Sequence, residues 1–72
     1  MRYKVVISRD EESNWLVSVP ALPGCHTWGE SREVALENAR EAIEGYIESL
    51  AAAGEPIPED DTDVEVTVVS VA

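Results

Sequence analysis

The sequence predicts an α/β (α+β) fold in the order β-β-β-α-β: an antiparallel meander, one helix packed on one of its faces, and a returning fourth strand. Three observations carry this expectation. Short alternating apolar runs, separated by turn signals, occupy residues 3–28. One stretch of helical periodicity follows, bounded by Ser31 and Gly54. An alternating valine run then occupies residues 64–71.

The first strand is expected over Tyr3–Ser8, where Tyr3, Val5 and Ile7 alternate with Lys4, Val6 and Ser8. The polar stretch from Arg9 to Asn14 has hairpin length. The second strand, Trp15–Val19, puts Trp15, Val17 and Val19 on one face and Leu16 and Ser18 on the other. Pro20 ends it, because proline has no N–H for a ladder. Pro23 and Gly24 make a turn, one fixing φ and the other permitting a positive φ. A short third strand, Cys25–Trp28, is closed by Gly29.

Ser31 is placed to cap a helix running from about Arg32 to Ala53. Gly54 suits the left-handed position beyond its end, and Pro56 forbids continuation. Gly45 within the helix costs about 1 kcal/mol relative to Ala, which a close backbone approach would offset. At 100° per residue, Leu36, Ala39, Ala42, Ile43, Tyr46, Ile47 and Leu50 share an arc of about 140°. Glu33, Glu37, Glu41, Glu44 and Glu48 fall together on the other side.

Glu55–Asp63 reads as a solvated linker with two prolines. Its acids lack the glycine and terminal Glu of a calcium-binding loop. The fourth strand, Val64–Val71, is expected beside the first. One helix cannot cover both faces of a four-stranded sheet. Val6, Leu16, Val69 and Val71 are therefore expected on an uncovered face, which calls for a partner. Self-association, including exchange of the fourth strand between chains, is expected.

The chain has 72 residues, read as one domain, with 15 acids and 5 bases and a net charge of −10. That balance opposes direct nucleic-acid binding, which needs clustered Lys and Arg. A single cysteine excludes a disulfide framework. No apolar run reaches the roughly 20 residues of a membrane span, and no signal peptide is evident, so a cytoplasmic location is expected.

The segment from Val17 through Pro20-Ala21-Leu22-Pro23-Gly24-Cys25-His26-Thr27-Trp28-Gly29-Glu30-Ser31, followed by Glu33-Val34-Ala35-Leu36-Glu37-Asn38-Ala39, resembles the HicB-like antitoxin domain. The resemblance spans nearly the whole chain. Val34 stands where the family usually has a second Glu. The resemblance implies a partial ribonuclease-H-like sheet and a structural role for Pro20, Leu22, Pro23, Gly24, Cys25, His26, Gly29 and Ser31. It also implies a partner: a small basic HicA-type toxin that cleaves messenger RNA and is blocked when the antitoxin covers it. Many members carry a further DNA-binding segment. This sequence is expected to be a minimal domain without one, and not to bind an operator alone.

The residues offer little for catalysis. Metal-dependent nuclease chemistry needs converging carboxylates, one of them midway along the first strand. Tyr3–Ile7 has no acid, Asp10 lies beyond it, and Glu65 is a weak candidate. Cys25 and His26 are neighbours on a strand and so point to opposite faces, not to each other. No catalytic, cofactor or metal residue is therefore assigned. The candidate partner-binding residues are Glu37, Glu41, Glu44 and Glu48, with Trp15 and Trp28 as anchors. Glu44 and Glu48 sit towards the negative end of the helix dipole, so helix stability does not explain them, whereas a basic partner does. The alternative reading is a stand-alone homo-oligomeric regulatory or small-molecule-binding module with no toxin.

Overall fold

Alternation in the N-terminal residues produces a meander, seen in a computed structural model that describes residues 1–71. Among the described residues there are three strands, β1 (Val6–Arg9), β2 (Trp15–Ser18) and β3 (His26–Gly29), and one helix, α1 (Arg32–Ala52). The strands are antiparallel in the order β1-β2-β3. The β1 ladder starts later than the alternation of Tyr3 and Val5 implies, and ends later than Ser8.

The register sorts the side chains. Val17 faces Ile7 and Thr27 across the ladders, on the side of α1. Leu16, paired with Ser8 and Trp28, lies on the other side. The pairings put Val6 on Leu16's face, as its sequence position requires.

The β1–β2 hairpin is held by Asp10. Its Oδ1 accepts from the N–H groups of Glu12 and Asn14, both at 2.9 Å. The hydrogen bond from Asn14, chiefly, lowers the Asp10 pKa. The Pro20–Gly24 loop is tighter. Val19 N–H donates to Cys25 O, Leu22 N–H to Val19 O and Cys25 N–H to Leu22 O, each at 3.0 Å. Gly24 takes the positive φ expected of it, +78°.

Ser31 caps α1 as expected: its Oγ accepts from Val34 N–H at 3.1 Å. At the other end Gly54 has φ +69°, and Glu55 N–H donates to Leu50 O at 2.9 Å. α1 lies over β2 and β3 rather than over β1. The close approach occurs at Gly29, where a Cβ would stand 2.5 Å from the Ala35 backbone nitrogen. Gly45, the position where the sequence admitted such an approach, faces open space instead.

The core has two parts. Val17, Ala35 and Ala39 form one. Val19, Leu22 and Cys25 form the other, with Tyr3, Val5, Ala42, Ile43 and Tyr46 against it. On the apolar arc of α1 only Ala39 is buried; Leu36, Ile43, Tyr46, Ile47 and Leu50 are half-buried.

The fourth strand expected over Val64–Val71 does not form on this chain's own sheet. No residue from Val64 to Val71 pairs with another described residue. The linker reaches residues 1–4 and is fastened there, where Tyr3 Oη donates to Pro58 O and Lys4 N–H donates to Asp60 Oδ2. Beyond Thr62 the chain leaves the surface. The radius of gyration is 14.0 Å and the longest dimension 49 Å, against a radius of about 11 Å for a compact chain of this length.

Candidate functional site

The acidic face follows from the geometry of α1. Because Ala35 and Ala39 set which side meets the sheet, Glu37, Glu41, Glu44 and Glu48 project to solvent, and all four are exposed. They recur at intervals of three and four residues and so form one stripe. Its only close cation among the described residues is Arg40, whose Nε stands 3.2 Å from Glu44 Oε1 across one helical turn. Such an exposed pair is worth only a few tenths of a kcal/mol. The stripe therefore keeps its negative potential. No basic residue lies in the last turn of α1 to oppose the helix dipole.

The two tryptophans, paired in the sequence as candidate anchors, lie on opposite faces. Trp15 is half-buried against the Val17 cluster, with the Arg9 guanidinium carbon 4.6 Å from its ring centroid. Trp28 is 54% exposed, opposite Leu16 on the face away from α1. Neither touches the acidic stripe.

The family-motif residues form the brace beneath α1. Leu22 is fully buried and holds the loop to the core. Tyr46 Oη donates to Pro23 O at 3.0 Å, and Asn38 Nδ2 donates to Trp28 O at 2.9 Å. Those two bonds orient the helix, and hence the stripe, relative to the sheet. The sequence marked Tyr46 only as an apolar-face residue and Asn38 only as part of the motif. For Tyr46 the available signal was a polar atom on an otherwise apolar arc; Asn38 lies outside that arc and offered none.

Cys25 is buried, and burial raises its thiol pKa, the opposite of what a nucleophile needs. His26 is exposed. Among the described residues, no group of three or more His, Cys, Asp or Glu side chains is placed to hold a metal ion. Asp10 is committed to its turn, and Asp60 to Lys4 and Thr62. No described helix is long and apolar enough to cross a membrane.

Comparison with known proteins agrees with this arrangement. A family model described as the HicB-like antitoxin of bacterial toxin–antitoxin systems matches residues 3–70. A UPF0150 protein of Thermoplasma acidophilum is 50% identical over 68 residues, covering 94% of this chain and 97% of its own length. An antitoxin HicB of Photorhabdus laumondii is 37% identical over 97% of this chain, which spans 49% of that protein. Among solved structures, the N-terminal domain of the Burkholderia pseudomallei antitoxin HicB is similar, with a TM-score of 0.67 and 39% identity. That match covers 92% of this chain and 69% of the solved one. A buried-loop motif, a capped helix and a three-strand meander thus coincide with a family match over nearly all the residues, and the chain belongs to the HicB-like antitoxin family.

Proposed function

We propose that this chain neutralises a small, basic, HicA-type mRNA-cleaving toxin by binding it and covering its RNA-binding surface, with no catalysis of its own. The observation that carries this reading is the exposed stripe of Glu37, Glu41, Glu44 and Glu48 on a protein of net charge −10. An RNA-binding surface is positive because it must meet phosphates. A protein face that mimics the charge of that ligand competes for the same surface, and long-range attraction speeds the encounter.

The exposed Trp28 and Leu16 on the opposite side supply a second, apolar anchor. Trp15, held by the core and by Arg9, serves the fold more than the contact. The toxin–toxin-inhibitor pair acts in the cytoplasm, where messenger RNA is met, and this chain binds no nucleic acid directly.

The test is a pull-down from the source cell's lysate with the tagged chain, first at low and then at high salt. Recovery at low salt of a small basic protein, whose RNA cleavage stops when the chain is added back, supports the reading. Recovery of no RNA-cleaving protein contradicts it.

A further inference from the structure

We infer that the hollow between the Pro20–Gly24 loop and the C-terminal half of α1 takes an arginine side chain of the basic partner, its guanidinium stacked on Tyr46 and paired with Glu55. This rests on the reading of a basic partner above, and it names one place where that partner is gripped.

The hollow comes first. It encloses about 410 Å³. That lies within the roughly 300–1,000 Å³ of clefts that hold small ligands. Gly24 and Cys25 form one wall, and Ala42, Tyr46 and Leu50 the other. The Tyr46 hydroxyl is committed to Pro23 O, so its ring stands as a fixed wall. Both walls are therefore largely apolar.

Gly45 is the second observation. It lies in the interior of α1 with ordinary helical backbone. Glycine there costs about 1 kcal/mol of helix stability relative to alanine. No packing within the chain offsets that cost, because a Cβ at Gly45 would meet no atom within 4 Å. What the glycine leaves is the space itself. Gly45 lines the hollow, and any side chain at that position would stand in it.

Charge is the third. Gly45 is where the hollow meets the acidic stripe. Glu41 and Glu48, a turn away on one side, belong to the stripe; Ala42 and Ser49, a turn away on the other, line the hollow. The left-handed turn at Gly54 and the hydrogen bond from Glu55 N–H to Leu50 O bring the exposed Glu55 to the rim. The hollow also sits at the negative end of the helix dipole, and the last turn of α1 carries no basic residue. No Lys or Arg is among the described residues that line it. Apolar walls with an acidic rim complement a long side chain that has an apolar stem and a cationic head. Arginine fits better than lysine. Its flat, weakly hydrated guanidinium stacks on an aromatic ring, and its several donors serve both the Glu55 carboxylate and the Ser49 hydroxyl.

The test is titration of the ¹⁵N-labelled full-length chain with acetyl-glycyl-arginyl-glycinamide and its lysine and citrulline counterparts, followed by amide chemical shifts. The arginine peptide should give saturable shifts centred on Gly24, Gly45, Tyr46 and Glu55. The lysine peptide should bind about 3-fold more weakly, and the neutral citrulline peptide about 10-fold more weakly. Gly45→Leu should fill the hollow, keep the helix content and weaken the arginine peptide about 10-fold. Should that variant not fold, Gly45→Ala should raise the urea midpoint and yet weaken binding about 3-fold. A purely structural glycine would not set stability against binding in that way. Equal binding of the citrulline peptide, shifts confined to the Glu37–Glu48 stripe, or arginine binding unmoved by Gly45→Leu would each overturn the inference. The toxin reading is decided separately, by whether the lysate yields an RNA-cleaving protein. If such a protein is captured as tightly by Gly45→Leu as by the native chain, the inference falls while the toxin reading stands.

Discussion

Around the Pro20–Gly24 loop the domain is closed: Val19, Leu22 and Cys25 are buried, and three backbone hydrogen bonds knit the loop to itself. Along β1 it is open: Leu36, Ile43 and Ile47 stay half-buried, and the valines of residues 64–71 stand in solvent. The same helix serves both regions, so the difference does not lie in its apolar periodicity. It lies in whether a neighbouring segment is at hand to cover the helix. The loop is local in sequence to β2 and β3, and its closure costs little chain entropy. The segment expected beside β1 is separated from the helix by a proline-bearing linker already fastened at Tyr3 and Lys4, and it does not reach that side.

The sharpest way to break the closed region is Leu22→Ala. Removing a fully buried leucine side chain should cost about 2–5 kcal/mol, read as a lowered urea midpoint. A loss below about 1 kcal/mol would show that the loop is not the keystone. Gly29→Ala comes next. The added methyl meets the Ala35 backbone, which cannot rotate away, and should cost about 1–3 kcal/mol. Gly45→Ala is its control: with open space at that position, the substitution should stabilise by up to about 1 kcal/mol through helix propensity. Ser31→Ala removes the cap of α1 and should cost about 1 kcal/mol, with Ser31→Asp restoring most of it.

The smallest effect belongs to the boundary between the regions. Hydrogen bonds from the Lys4 N–H, foremost, and from Thr62 hold the Asp60 carboxyl below its ordinary pKa of 3.8. A lowered folded-state pKa means that the contribution is complete above the ordinary value and is lost as the pH falls below it. Asp60→Asn should therefore flatten the acid limb of the stability profile by lowering stability at neutral pH, with little change at acid pH where the native carboxyl is already protonated. An identical acid limb in both proteins would show that the linker is not fastened at Lys4.

Much of this was legible in the sequence, for reasons the residues make plain. Ser31 and Gly54 bracket α1 because a cap and a left-handed residue are local requirements, met or unmet within one turn. Trp15, Val17 and Val19 alternate correctly because period two is set by the backbone. The acidic stripe was legible as a face, since α1 is regular over its whole length. The fourth strand was not, because alternation over Val64–Val71 declares a propensity for extended backbone without declaring a neighbour to pair with. Gly29 was missed as the contact glycine for a similar reason: which backbone comes near depends on how α1 crosses β3. That Trp15 and Trp28 lie on opposite faces was not legible either. Thirteen positions apart through a loop of irregular backbone, their faces could not be read from sequence spacing.

The most direct test of this division is amide hydrogen exchange on the full chain at two concentrations, one high and one diluted about 100-fold. Leu22, Cys25 and the β2 amides should be protected equally at both. The amides of Val64–Val71, which make no backbone hydrogen bond to another described residue, should exchange freely at both. Protection of Val64–Val71 at both concentrations equal to that of Leu22, or free exchange at Leu22 and Cys25, would contradict the account.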